Sequence, residues 1–135
     1  MIVRIKNLKQ CYKFVFSDTT LTTLYYWKDW RNPPTKKASL LFHVIDLFVR
    51  QQTSKPLDEY PVSRKIIRID IPDELGEKLV TSIDLYTRYE VGRYSEVRKE
   101  IQHLMTLSDP HEIVERFYSL VAKYAFMKAM RADDK

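Results

Sequence analysis

Few side chains of this 135-residue chain could do acid–base or nucleophilic chemistry, and they are scattered. Histidine can donate or accept a proton near neutral pH. His103 follows Arg98 after four intervening residues, so one short segment holds an anion-binding group and an acid–base group. His43 and His111 lie in other segments, and Cys11 is the only cysteine. We interpret Cys11 as a buried structural thiol rather than a nucleophile.

The remaining patterns give little support for catalysis. The histidines and the cysteine lack the spacing of metal ligands, so we predict no metal site. Gly76 and Gly92 are isolated, which is not the pattern of a glycine-rich phosphate loop, and there is no nucleophile elbow. We therefore predict a non-enzymatic protein without a cofactor.

Composition favours a cytoplasmic protein with an anionic partner. A single cysteine allows no internal disulfide, which fits a reducing compartment. The apolar stretch 40–49 is too short to cross a membrane and contains His43 and Asp46, so we expect no membrane association. The formal net charge is +5, and residues 1–16 hold four cations and no acid. Such a charge favours nucleic acid as a partner.

The N-terminal region predicts a small β element. Residues 2–6 alternate apolar and basic side chains, as a half-buried strand does. Aromatic residues at 12, 14 and 16 share one face of a second strand, so residues 8–10 would connect a hairpin. Residues 21–30 fit either a helix or a strand. Their aromatic residues, interleaved with Lys28 and Arg31, would either stack on unpaired bases or form the edge of a core.

A helix is predicted over 36–51. Its apolar residues follow the helical spacing of a core-facing stripe: Leu41, Val44, Ile45 and Phe48. Prolines at 56 and 61 make 54–63 a loop or linker. This segment is the predicted boundary between an N-terminal region, 1–53, and a second region, 64–135, which together could also form one compact domain.

The second region predicts a strand followed by three helices. Isoleucines at 67, 69 and 71 alternate with Arg68 and Asp70, and a helix begins at Pro72. Ser95 is placed to cap the next helix. Asp109 and Pro110 are placed to start the last one, whose apolar residues form a two-heptad seam: Ile113, Phe117, Leu120, Tyr124 and Met127. The seam fits either packing within the domain or a dimer contact.

These elements predict a helix-rich α+β fold. It would have a small N-terminal β element and a strand–helix–helix unit followed by a long C-terminal helix.

The strand–helix–helix unit resembles the CopG/Arc-type ribbon-helix-helix family of DNA-binding proteins over residues 64–105. The residues that carry the resemblance are IRIDIPDEL at 67–75 and GRYSEVR at 92–98. Members of that family pair the strands of two chains into a ribbon that enters the major groove. The resemblance implies a homodimeric transcriptional regulator that binds DNA more readily than RNA. An ordinary strand–helix–helix piece of an α+β domain is the other interpretation.

By position, the resemblance implies that Arg68 faces outward from the ribbon with Ile66 and Asp70 and donates to guanine. The start of the second helix would hold a phosphate. The implied nucleic-acid-binding residues are Arg64, Lys65, Arg68, Arg93, Ser95 and Arg98.

Two other functions stay open. One is a small structural or adaptor subunit of a larger protein or nucleoprotein assembly. The other is an RNase, because Arg98 and His103 resemble the Arg-x4-His pattern of HEPN-type RNases, in which the two side chains meet around an RNA phosphate.

Overall fold

The computed structural model describes residues 1–8, 11–17, 22–27, 36–57 and 67–133. The strands are β1 Ile2–Leu8, β2 Cys11–Ser17, β3 Thr22–Trp27 and β4 Ile67–Asp70. The helices are α1 Lys36–Thr53, α2 Asp73–Arg88, α3 Ser95–Leu104 and α4 Pro110–Asp133, and a 3-10 turn at Val91–Arg93 precedes α3. The predicted helix-rich α+β fold is confirmed.

The chain divides into two compact units, Met1–Gly76 and Glu77–Lys135. The sequence favoured a boundary at 54–63, but β4 pairs with β1 and thereby joins the residues on both sides of that segment. The division between the two units falls after Gly76, within α2.

The first unit is an antiparallel four-stranded sheet with the strand order β3-β2-β1-β4. Alternation along β1, β2 and β4 turns one set of side chains into the core: Val3, Ile5, Phe14, Phe16 and Ile69 are 0% exposed. The predicted stripe of α1 is buried as well, and Phe42 of α1 meets Phe14 edge to face, with ring centroids 6.4 Å apart. Burial of each large side chain stabilises the fold by roughly 1.5–3 kcal/mol. Of the ambiguous residues 21–30, those at 22–27 form a strand.

The position of β4 differs from what the resemblance to ribbon-helix-helix proteins implied. In that family the strand has its partner in a second chain. Here β4 pairs antiparallel with β1 of its own chain, so that Arg4 is opposite Arg68 and Val3 is opposite Ile69. The predicted alternation itself is correct, because Ile69 is buried whereas Arg68 and Asp70 are exposed.

The outer edge of β4 is covered by a side chain. Met1 and Ile71 exchange both backbone hydrogen bonds, at 2.9 and 2.7 Å, so the alternating ladder turns the N–H and C=O of Asp70 outward. The Gln52 side chain accepts from the Asp70 N–H at 3.0 Å and donates to its C=O at 2.6 Å. This amide imitates one residue of an additional strand and blocks pairing at that position.

The second unit contains α3, α4 and most of α2. Its core includes Val97, Ile101 and Leu104 of α3 with Ile113, Phe117 and Val121 of α4. The predicted start of α4 is confirmed, since Pro110 is its first residue and the Asp109 carboxylate accepts from the His111 N–H at 3.0 Å. Most of the predicted seam is internal packing, but Met127 at its end is 38% exposed.

In the described part of the chain, no helix has the length and apolarity needed to cross a membrane.

Candidate nucleic-acid interface

The side of the sheet opposite α1, here called the open face, carries four cations. The alternation that buries Val3 and Ile5 turns Arg4 and Lys6 to this side. Its side-chain positions in β1, β2 and β4 are Ile2, Arg4, Lys6, Lys13, Val15, Ser17, Arg68 and Asp70. Arg4, Lys13 and Arg68 are exposed, and Lys6 is partly exposed.

Strand register places these cations in two pairs of like charge. Arg4 of β1 is directly opposite Arg68 of β4, and Lys6 of β1 is directly opposite Lys13 of β2. Side chains directly opposite each other have Cβ atoms about 4.5–5.5 Å apart, and like charges in that position destabilise a sheet. Arg68, Arg4, Lys6 and Lys13 therefore form a stepped row across three strands.

The row has little internal compensation. Arg4 Nη1 donates to the Ser17 hydroxyl at 3.1 Å, which orients the guanidinium without neutralising it. Asp70 is the acid among the described positions of the open face, and it is opposite Ile2. Among the described residues, no carboxylate forms an ion pair with any of the four cations. The described positions of the open face thus carry four cations and one acid.

The described site residues predicted from the sequence belong to different units of the chain. Arg68 is part of the row on the open face. Arg64 and Lys65 lie outside the described residues, and so does Ile66. Arg93, Ser95 and Arg98 are in the second unit.

Arg93 and Arg98 make contacts within their own unit. Arg98 Nη1 donates to the carbonyl oxygens of Gly92 and Arg93 at 3.0 and 2.7 Å. Arg93 forms an ion pair with Glu90 at 3.0 Å, and Lys128 pairs with the same carboxylate at 3.3 Å. Hydrogen bonds from Arg93 and Lys128 lower the pKa of Glu90. Both arginines therefore stabilise the turn before α3.

The predicted cap of α3 is wrong by one residue. Ser95 is the first helical residue, and Tyr94 takes the cap position in an extended conformation without a side-chain hydrogen bond. Arg98 and His103 are both on α3, five positions apart, which separates them by about 140° around the helix axis. With Arg98 held by two carbonyls, this helix by itself does not assemble an Arg–His pair around one phosphate.

A groove of ≈ 510 Å³ lies between α3 and α4. Its lining includes Glu96, Glu100 and Glu115 together with Arg116 and Lys123. Glu115 accepts from Lys78 at 2.9 Å, and Glu96 accepts from the Tyr124 hydroxyl, which raises the pKa of Tyr124. Three carboxylates make this groove a poor site for a phosphate.

Sequence reasoning missed Arg4, Lys6 and Lys13 as site residues. A usable signal was present, because residues 1–16 hold four cations and no acid and their basic positions alternate with apolar ones. Their pairing with each other and with Arg68 depends on strand register, which the sequence does not specify.

Within the described ranges, no three potential metal ligands come together. Comparisons of this chain with protein families, curated proteins and solved structures found no match.

Proposed function

We propose that this protein binds nucleic acid through the open face of its sheet. The observation that carries the proposal is the strand register, which places Arg4 opposite Arg68 and Lys6 opposite Lys13. Each such pair of like charges costs on the order of 0.2–1 kcal/mol in the free protein. A polyanion that lies across the row removes this repulsion and releases its own counterions. The free energy that the like charges cost in the folded protein is therefore recovered when the polyanion binds.

The proposal differs from the dimeric DNA-binding regulator that the resemblance implied. A ribbon of two β4 strands needs a free edge on β4. One side of β4 is paired with β1, and on the other side the Gln52 side chain is hydrogen-bonded to the backbone N–H and C=O of Asp70. The binding surface proposed here is therefore the whole sheet, to which Arg68 contributes as one of four cations.

Replacing Arg68 by threonine should change stability and binding in opposite directions. Threonine suits a strand, and its introduction removes the Arg4–Arg68 repulsion, so we expect the free energy of unfolding to rise by about 0.5 kcal/mol. The affinity for a labelled oligonucleotide in 0.1 M salt should fall about fivefold, because one phosphate contact is lost. Urea denaturation and fluorescence anisotropy measure the two quantities.

Lys55→Thr is the matched control, since Lys55 is exposed after the end of α1 and is not in the sheet. It should leave both quantities nearly unchanged. If Arg68→Thr lowers stability and leaves affinity intact, Arg68 has a structural role and the proposal loses its main support.

We also propose that two copies associate through the end of α4. Phe126, Met127 and Met130 are 66%, 38% and 49% exposed and follow one helical stripe. Lys123 and Asp133 are at the two ends of that stripe by spacing. An antiparallel pair of α4 helices places Phe126 opposite Met130 and Lys123 opposite Asp133 of the second copy. This charge complementarity favours a second copy over a different subunit as the occupant.

Light scattering over a range of concentrations tests this contact. The wild-type chain should be a dimer, and the double variant Phe126→Ser, Met130→Ser should be a monomer. Lys123→Asp should weaken the dimer, and adding Asp133→Lys should restore it. A wild-type chain that stays monomeric at high concentration contradicts the contact and favours a subunit that pairs with a different protein.

A further inference from the structure

We infer that the nucleic acid held by the open face is single-stranded. This inference rests on the proposed function, because it names the class of ligand for the same four cations. The basis is the shape of the surface that carries them.

The sheet is too wide to enter a groove of duplex DNA. Neighbouring strands are about 4.8 Å apart, so four strands extend over about 14 Å from axis to axis and about 19 Å with their outer edges. The major groove of B-DNA is about 12 Å wide and admits one helix or a ribbon of two strands, and the minor groove is about 6 Å wide. Presented face-on, this sheet meets only the outer phosphates of a duplex.

The strands that carry the cations cannot leave the sheet as a two-stranded ribbon. Arg4 and Lys6 are in β1, which is paired on both sides, with β2 and with β4. At the outer edge of β4, the Gln52 side chain is bonded to both backbone groups of Asp70. The row of cations is therefore available only as a broad face.

A broad face with a row of cations suits one unpaired strand. The phosphates can follow the steps from Arg68 to Lys13, and the bases can then lie over neighbouring strands. Val15 is partly exposed on this face. In the next strand, β3, Tyr26 is the register partner of Lys13 and so occupies a position on the open face, whereas Tyr25 and Trp27 pair with Phe14 and Tyr12 on the other face. An aromatic residue beside a row of cations is typical of surfaces on which unpaired bases stack.

Fluorescence anisotropy with the full chain tests the inference. The probes are a labelled 12-nucleotide DNA, an RNA of the same sequence and the duplex form of the DNA, each at 50 and 200 mM salt. We expect both single strands to bind at least tenfold more tightly than the duplex, since one stacked base is worth about that factor. Tyr26→Ala should weaken single-strand binding about tenfold and leave duplex binding unchanged.

The outcomes separate the two levels of the proposal. Binding of none of the three probes overturns the proposed function itself. Binding of the duplex as tightly as the single strands overturns only the inference, because the cations would then contact outer phosphates. Tighter binding of either single strand than of the duplex supports the inference, and the affinities of the DNA and RNA strands then show which of the two the open face prefers.

Discussion

The quadruple variant in which Arg4, Lys6, Lys13 and Arg68 become glutamine is expected to lose oligonucleotide binding by a factor on the order of 1,000 in 0.1 M salt. For single strands, each neutralised phosphate contributes about −0.7 to the slope of log K against log salt. Four contacts give a slope of about −3, which corresponds to about three orders of magnitude between 0.1 and 1 M salt. The variant should show a slope near zero. Anisotropy titrations at several salt concentrations measure both quantities.

The control is a second quadruple variant that loses the same four positive charges at positions outside the sheet. Lys36, Lys55, Lys99 and Arg131 are exposed and outside the sheet, and their replacement by glutamine also lowers the net charge of +5 by four. This control should keep most of the affinity and most of the slope. Equal losses in the two variants would mean that net charge, rather than the open face, attracts the nucleic acid. The sheet variant should also be more stable than wild type, because two repulsive pairs are removed.

Replacement of Gly92 by alanine is expected to destabilise the second unit by about 1–3 kcal/mol, the usual cost of overpacking. A Cβ at this position would meet the Tyr86 hydroxyl and lie 2.7 Å from Cζ of its ring. The ring is held against Phe117, with centroids 6.1 Å apart, and its burial raises the pKa of Tyr86. It must therefore leave a packed position to admit one methyl group.

A double-mutant cycle separates this clash from other effects of the alanine. No described glycine has a positive φ, so alanine is compatible with the backbone at position 92. In a Tyr86→Leu background, Gly92→Ala should then be neutral, or stabilising by about 0.4–1 kcal/mol through the unfolded state. Thermal or urea unfolding of the four proteins gives the coupling energy. Equal costs in both backgrounds would contradict the Tyr86 contact as the cause.

Local patterns in the sequence determined the elements and the fold class. Alternation in residues 2–6 and 67–71 predicted strands with Val3, Ile5 and Ile69 inside, because side chains of a strand point alternately to its two faces. The stripe in α1 and the Asp109–Pro110 start of α4 were equally readable, since helical spacing and capping depend on residues within one or two turns. The same alternation made Arg68 face outward.

Which cations become neighbours depends on the pairing of the strands in the folded chain. Arg4 and Arg68 are 64 positions apart and become neighbours because β4 pairs with β1 rather than with a second chain. Local propensity does not specify strand pairing, which depends on long-range register and on the burial of one common face. The hydrogen bonds from Gln52 to the outer edge of β4 also join residues far apart in the sequence. This covered edge differs from the free edge that the resemblance to ribbon-helix-helix proteins implied. The net positive charge and the basic residues of the strands could be read from the sequence alone. Because each strand buries its apolar side chains, the basic side chains lie on the opposite face, and strand register makes them neighbours there.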